Sequence, residues 1–195
     1  MDINPKIHIV PTTNYRGLGL FAKQLIKKGE LIFVLNGVEF RVEDDYSNAG
    51  NDEKWFQIGD KTWLDDKNYG GFLNHSCNPN SAVFNLINLK SLKEIKPGEE
   101  VTIDYDVIDW DVSKNYPFAC KCGEKDCRGV IKGYKYLPEI WKKFYKKMGI
   151  VPKYLLELEG QQSQQFLKDY CNSLHLNKKF PENFINHIFY YIYYG

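Results

Sequence analysis

The sequence predicts a mainly β protein with a helical C-terminal part. Short apolar segments separated by turns about every ten residues continue to about residue 108, which is typical of a β-rich domain. A cluster of cysteines follows, and from Pro138 apolar residues recur at helical spacing up to Gly149. With 195 residues, of which 43% are hydrophobic and 26% charged, the chain has the size and composition of one ordinary globular domain with an appendage.

Composition and charge exclude several classes of protein. The net charge is +1, so no overall field attracts nucleic acid, and we expect no direct nucleic-acid binding. The first residues lack the pattern of a signal peptide, and no apolar run approaches the ~18 residues of a membrane span. Five cysteines, three of them within eight residues, favour a metal site over disulfides. We therefore expect an intracellular protein, cytoplasmic or nuclear, acting in a host nucleus if it is a secreted effector.

Alternating or continuous apolar segments define the β-rich part. The pair Asn36-Gly37 between two such segments predicts a β-hairpin, and Gly59-Asp60 predicts a second one. Pro11 is predicted to end the first strand, and the polar stretch 42–54 is predicted to be a loop. Strands are predicted at 6–10, 31–35, 38–41, 55–58, 61–65, 81–86 and 101–105, with a further short element at 89–95.

Two glycine-containing stretches carry residue types suited to binding. Gly17 and Gly19 lead into an apolar strand, where backbone N–H groups can approach a ligand, although a plain turn is the commoner meaning of such a pair. Residues 70–80, GGFLNHSCNPN, combine two glycines with a His, a Cys and an Asn-Pro pair. This composition is typical of a functional loop, because a fold that needs only a core does not require it.

The cysteines predict a zinc site. Cys120, Cys122 and Cys127 have the spacing Cys-x-Cys-x₄-Cys, and a closed structural zinc site needs four ligands. Cys77 and Cys171 are candidates for the fourth ligand, with His75 a weaker third. The alternative is three reduced thiols that lie near one another.

Three helices are predicted in the C-terminal part, at 138–148, 163–174 and 181–194. Amphipathic helices pack on their own domain by default, and association with a partner or a second copy is the alternative. The lysine-rich run 141–147 is predicted to be a solvated helix face, and contact with nucleic acid or an acidic partner is the alternative.

Three separated motifs and the cysteine cluster resemble one family. The motifs are RGLGLFA (16–22), NHSCNPN (74–80) and GEEVTIDY (98–105), in this order. Together they resemble the SET-domain protein lysine methyltransferases, and the cysteines resemble the post-SET zinc segment of that family. The resemblance covers about residues 6–135.

The resemblance implies a fold of small twisted sheets with a pseudoknot, and a division into a SET domain (5–108), a post-SET zinc segment (109–135) and a C-terminal helical extension (136–195). It implies that Tyr105 is catalytic and that Cys77 joins the three clustered cysteines around zinc. It implies S-adenosylmethionine as cofactor, bound by Arg16, Gly17, Leu18, Gly19, Leu20, Asn74, His75, Tyr105 and Phe118.

The implied activity is methyl transfer to a lysine side chain of a protein substrate, a histone tail being the commonest target in the family. Phe72, Phe84 and Tyr105 are candidate walls of a lysine channel. Gly71 replaces an Arg that many family members carry, and Ile103 stands where an aromatic residue is frequent, so the number of methyl groups added stays open. The alternatives are a non-catalytic SET-fold binding or scaffold protein and a zinc-ribbon nucleic-acid binder, which the net charge disfavours.

Overall fold

The computed structural model describes residues 4–12, 17–42, 55–112 and 118–173. The chain divides into two compact units, Met1–Leu155 and Leu156–Gly195. The first unit holds the strands β1 (Ile7–Pro11), β2 (Leu18–Ala22), β3 (Leu31–Val34), β4 (Gly37–Arg41), β5 (Trp55–Gln57), β6 (Thr62–Asp66), β7 (Asn74–His75), β8 (Ser81–Phe84), β9 (Asn88–Ser91), β10 (Thr102–Ile103), β11 (Phe118–Ala119) and β12 (Val130–Ile131). The fold class predicted from the sequence, mainly β with α, is confirmed.

The strands of the described residues form several small sheets. Two have three strands, in the orders β3-β9-β8 and β4-β6-β5, and the pairs β1-β2, β7-β10 and β11-β12 form two-stranded sheets. The pair β7-β10 is parallel, whereas the other pairs are antiparallel. A buried core of aliphatic and aromatic residues joins the sheets, and its fully covered members include Ile7, Leu20, Leu89, Ile95 and Val101.

The hairpin predicted around Asn36-Gly37 is wrong. Strands β3 and β4 exist, but β3 pairs with β9 and β4 pairs with β6, so the Asn-Gly pair joins two sheets. The backbone N–H of Asn36 donates to Asp66 Oδ1 (2.8 Å), and a Cβ on Gly37 would lie 1.8 Å from the carbonyl oxygen of Asp65. Gly37 is therefore needed for close backbone contact with β6, and not for the positive φ of a hairpin turn.

The hairpin predicted across Gly59-Asp60 is confirmed, since β5 and β6 pair. A further hairpin joins β8 and β9 through a turn in which Asn85 (φ 49°) and Leu86 (φ 72°) have positive φ. The strand predicted at 101–105 is shorter than expected. The Asp104 side chain accepts a hydrogen bond from the backbone N–H of Asp106 and ends β10, so that Tyr105–Val107 forms a 3-10 helix.

The described helices are α1 (Glu139–Lys147) and α2 (Lys153–Ser173). Helix α1 matches its prediction, and Gly149 with φ 68° follows its end. Helix α2 begins before the predicted start at Ser163, because Tyr154 and Leu155 bury their side chains in the first unit. The helix predicted at 181–194 lies outside the described residues.

The lysine-rich run is only partly solvated, because Lys142 is buried and its Nζ lies 5.3 Å from the centre of the Tyr134 ring. In the described part of the chain, no helix has the length and apolarity needed to cross a membrane.

Candidate active site

The parallel pair β7-β10 brings two of the sequence motifs together. Thr102 lies opposite Asn74 and Ile103 lies opposite His75 in the register of the pair. The side chain of Asn80 extends the contact: its Nδ2 donates to the carbonyl of Glu100 (2.7 Å), and its Oδ1 accepts from the backbone N–H of Thr102 (2.9 Å). Segments that are separated by about thirty residues in sequence therefore meet in one site.

Tyr105 lies at the start of the 3-10 helix that follows β10, with its ring partly buried against the core. Its hydroxyl donates to the carbonyl oxygen of Leu73 (2.5 Å). Its backbone N–H donates to Nδ1 of His75 (3.2 Å), and the two ring centres lie 5.4 Å apart. The hydroxyl group is therefore held at a defined position beside the main chain that precedes Asn74.

His75 is buried, and its two ring nitrogens have different partners. Because Nδ1 accepts from the N–H of Tyr105, neutral His75 carries its proton on Nε2, which lies 3.3 Å from Cys77 Sγ. This arrangement suits a donor to a thiolate better than a general base.

Asn74 lies beside the Gly-x-Gly segment. Its Nδ2 donates to the carbonyl of Leu18 (3.1 Å) and to Oε1 of Glu100 (2.7 Å). Both amide hydrogens are thus directed at protein acceptors, which fixes the orientation of the carboxamide and of its Oδ1. A Cβ on Gly19 would lie 2.6 Å from Glu100 Oε1, so Gly19 permits this close approach.

The other predicted cofactor residues are distributed as follows. Gly17 and Leu18 are exposed, whereas Leu20 is fully buried in β2 and can offer only its backbone. Arg16 lies outside the described residues. Phe118 begins β11, and its side chain is likewise outside the described part.

Of the candidate channel walls, Phe72 and Tyr105 are partly buried against the core. Phe84 lies on β8, where Lys90 Nζ is 5.8 Å from its ring centre.

Residues 120–129, which we call the cysteine segment, pack against residues 74–77. The ligand atoms of His75, Cys77, Cys120 and Cys122 all lie within 4.8 Å of one another, and Cys77 Sγ is 3.8 Å from Cys120 Sγ. Cys127 interacts with Cys120 and Cys122, and its Sγ also accepts from the N–H of Gly129 (3.4 Å). Cys171 lies in α2, and its side chain is outside the described part.

Burial raises the pKa of the Cys77 thiol to about 12 and raises that of Cys120 as well. Burial also acts to raise the pKa of Cys122. This effect of burial is outweighed by hydrogen bonds to the Cys122 sulfur from the backbone of Cys77 and Glu124 and from the thiols of Cys120 and Cys127. Together they lower the pKa of Cys122 to about 7. Thiols this close together are stable as thiolates only when a cation compensates their charge.

The sequence alone did not single out Arg128, which lies in the centre of a buried charge cluster. Its Nη2 contacts Asp104 Oδ1 (2.5 Å) and Asp106 Oδ2 (2.9 Å), the two carboxylates on either side of Tyr105 in sequence. Burial raises the pKa of Asp104 to about 6, with Asp106 adding to the effect and Arg128 opposing it. No local pattern identifies these contacts, because Arg128 follows a cysteine in a short loop and its partners lie more than twenty residues away.

A family model described as "SET domain" matches residues 17–106. That range contains the Gly-x-Gly segment, the segment 74–80 and Tyr105, which the structure brings together. The match identifies a SET domain over these residues, which confirms the SET-domain part of the resemblance seen in the motifs, whereas the post-SET zinc segment stays a prediction.

Two curated relatives illustrate the likeness. Histone-lysine N-methyltransferase SUV39H2 of Xenopus tropicalis is 33% identical over 157 residues, which cover 63% of this chain and 38% of that protein. Histone-lysine N-methyltransferase 2B of Homo sapiens is 34% identical over 128 residues, covering 57% of this chain and 5% of that protein. The chain thus spans well under half of the length of these relatives.

Two solved structures have the same fold over 64% of this chain. One is KRYPTONITE in complex with mCHH DNA, H3(1-15) peptide and SAH, with a TM-score of 0.50, 25% identity and 29% of that chain covered. The other is Arabidopsis thaliana SUVH6 in complex with SAM, with a TM-score of 0.54, 24% identity and 33% of that chain covered.

Proposed function

We propose that this protein transfers a methyl group from S-adenosylmethionine to the side-chain amine of a lysine in a protein substrate. The observation that carries the proposal is the position of Tyr105, whose hydroxyl donates to the carbonyl of Leu73 (2.5 Å) and whose backbone N–H donates to Nδ1 of His75 (3.2 Å). The names of the relatives, which are histone-lysine N-methyltransferases, support this reaction.

We propose Tyr105 as the catalytic residue. The cofactor site comprises Arg16, Gly17, Leu18, Gly19, Leu20, Asn74, His75, Tyr105 and Phe118. The oriented Oδ1 of Asn74 fits the ammonium group of an amino acid, because both of its amide hydrogens already have protein acceptors. When bound, S-adenosylmethionine supplies an electrophilic methyl group on a sulfonium, and its C–S bond breaks as the new C–N bond to lysine forms.

The residues of the chain contribute position and environment. The Leu73 carbonyl and the lone pairs of the Tyr105 hydroxyl present oxygen atoms that stabilise a partly positive methyl group through C–H···O contacts. The lysine amine must be neutral to act as a nucleophile, and its proton passes to solvent. Partly buried Phe72 and Tyr105 would lower the pKa of a lysine ammonium by desolvation.

We propose that Cys77, Cys120, Cys122 and Cys127 bind one structural zinc ion. Four sulfur ligands make a typical closed site, and the sulfur atoms of Cys77, Cys120 and Cys122 lie within 4.8 Å of one another. His75 also lies within this distance, but its Nε2–H is oriented as a donor to Cys77, which suits an outer partner of a metal-bound thiolate. The zinc would connect the cysteine segment to the loop that carries Asn74 and His75.

The proposed organisation has a SET domain at 5–108, a post-SET zinc segment at 109–135 and a helical extension at 136–195. A histone is the proposed substrate, since the KRYPTONITE structure contains an H3(1-15) peptide and the relatives are histone-lysine N-methyltransferases. Such a substrate places the site of action in a nucleus, of the protein's own cell or of a host.

The test is transfer of a labelled methyl group to a histone mixture. We expect the wild type to label lysine, and Tyr105→Phe to lower the rate on the order of 100-fold or more while binding S-adenosylmethionine in calorimetry. Tyr136→Phe is the matched control, because the exposed Tyr136 donates its hydroxyl hydrogen bond to Asp111, away from the proposed site. A wild type that binds the cofactor but labels no lysine would identify a SET-fold binding protein instead.

A further inference from the structure

We propose that Arg128 is a positioning residue for methyl transfer, because it holds the turn that carries Tyr105. This inference rests on the proposed function and assigns a role to a residue outside the sequence motifs. Asp104 and Asp106 precede and follow Tyr105 in the chain, and one guanidinium group binds both of them.

The contacts of the guanidinium define the geometry of this turn. Nη2 of Arg128 lies 2.5 Å from Asp104 Oδ1 and 2.9 Å from Asp106 Oδ2, and Nε lies 3.2 Å from the same Asp106 oxygen. The planar guanidinium can donate to two carboxylates at once in fixed directions, which an ammonium group cannot do. The residue between the two carboxylates is thereby fixed from both sides.

The remaining carboxylate oxygens are also bonded. Oδ2 of Asp104 accepts from the hydroxyl of Tyr145 on α1 (2.6 Å). Oδ1 of Asp106 accepts from the backbone N–H groups of Lys132 (2.9 Å) and Gly133 (2.7 Å). The turn therefore has connections to the cysteine segment, to the chain after β12 and to α1.

Burial makes the turn depend on Arg128. The exposed fraction of the side chain is 9% for Arg128, 2% for Asp104 and 5% for Asp106. Without the guanidinium, the two buried carboxylates would lose the cation that binds both of them, which is strongly unfavourable. The turn would have to rearrange, and the hydroxyl of Tyr105 would move away from the carbonyl of Leu73.

Arg128 is itself anchored from two sides. It follows Cys127 directly, its backbone N–H donates to Cys77 Sγ (3.4 Å), and its guanidinium carbon lies 5.9 Å from the centre of the Trp141 ring. These contacts hold the guanidinium group in a fixed position next to the turn. A change at Arg128 should therefore alter the position of Tyr105. It should leave cofactor binding nearly unchanged, because the residues around the Gly-x-Gly segment lie in other strands.

The decisive variant is Arg128→Lys, which keeps the charge but loses the forked geometry. We expect kcat for a lysine peptide to fall on the order of 100-fold, as misalignment at a reacting centre does. We expect the KM for the peptide and the calorimetric Kd for S-adenosylmethionine to stay near the wild-type values. Arg41→Lys, an exposed arginine on β4, is the matched control and should keep the wild-type kcat.

Two measurements separate positioning from general loss of structure. The zinc content should remain at the wild-type level in Arg128→Lys. Amide hydrogen exchange at Asp106, Val107 and Ile108 should become faster, while exchange in β1 and β2 should stay unchanged. Tyr145→Phe is a milder second variant, which removes one hydrogen bond to Asp104 and should lower kcat about tenfold.

The outcomes are distinguishable. Wild-type kcat in Arg128→Lys overturns the inference, and so does a loss of activity that is accounted for by lost zinc or weakened cofactor binding. If Arg128→Lys does not fold, an unchanged kcat in Tyr145→Phe overturns it. If the wild type itself transfers no methyl group, the proposed function fails, and unchanged amide exchange at 106–108 then overturns the positioning role independently.

Discussion

The carboxamide of Asn74 has both of its N–H groups bonded within the protein, to the Leu18 carbonyl and to Glu100. At the scale of single residues, the Gly-x-Gly segment contributes to the fixed orientation of this carboxamide. The absence of a side chain at Gly19 leaves room for the Glu100 carboxylate, which in turn orients Asn74. Gly19 thus also affects the site through two neighbouring side chains, those of Glu100 and Asn74.

Gly19→Ala should therefore weaken cofactor binding. The added Cβ would lie 2.6 Å from Glu100 Oε1 and 2.8 Å from Thr12 Cγ2, so the carboxylate must move away from Asn74. Loss of one oriented polar contact is expected to raise the Kd for S-adenosylmethionine about tenfold in calorimetry. The control is Gly160→Ala in α2, where a Cβ meets open space. Equal Kd values for Gly19→Ala and the wild type would contradict this role of Gly19.

At the scale of elements, the sequence predicted which segments are strands better than it predicted how they pair. Alternation and turn residues are local signals, so β5 and β6 were found together with their hairpin. The pair Asn36-Gly37 has the composition of a hairpin turn. Its actual role depends on β6, about thirty residues further along the chain, which no local pattern can indicate.

A substitution of Gly37 tests whether close backbone contact with β6 is the reason for a glycine at this position. Gly37→Ala would place a Cβ 1.8 Å from the backbone oxygen of Asp65, and backbone cannot give way as a flexible side chain can. We expect the free energy of unfolding, measured by urea titration, to fall by about 3 kcal/mol. Gly59→Ala, whose Cβ would lie 3.3 Å from the Thr62 side chain, should cost under about 1 kcal/mol. Similar stabilities for the two variants would contradict the close contact.

The predicted site shows the same division between local and long-range information. The motifs at 16–22, 74–80 and 98–105 could be recognised because each is a continuous stretch with unusual composition. Arg128, Asp106 and Tyr145 could not be recognised, because their roles exist only once distant segments are packed together. The separation of Tyr105 from β10 also went unpredicted, because it depends on the side chain of Asp104 acting as a cap.

At the scale of the whole molecule, the cysteine segment contacts both the turn that carries Tyr105 and the loop that follows Asn74 and His75. Arg128 binds the turn of Tyr105, and Glu124 accepts hydrogen bonds from Ser76 (2.9 Å) and Asn78 (3.4 Å), which follow the proposed cofactor residues Asn74 and His75. A zinc ion at the cysteines would stabilise both connections together. Metal binding should therefore contribute to the stability of the fold as well as to the site.

Cysteine variants test the metal. A chelator with a colorimetric indicator should release one zinc ion per wild-type chain, and removal should lower the free energy of unfolding measurably. Cys77→Ser should lose tightly bound zinc, whereas Cys171→Ser should retain it. Retention of zinc by Cys77→Ser together with its loss from Cys171→Ser would assign the fourth ligand to α2 instead.

Mass spectrometry of histones after incubation with the full chain and S-adenosylmethionine tests the proposed methyl transfer directly. We expect lysine residues to gain the mass of one or more methyl groups in the presence of the wild type, and to remain unmodified with Tyr105→Phe. Equal modification by the wild type and Tyr105→Phe would contradict the catalytic role of Tyr105. No modification of any lysine by a cofactor-bound wild type, in histones or in a cell extract, would contradict the proposed reaction itself.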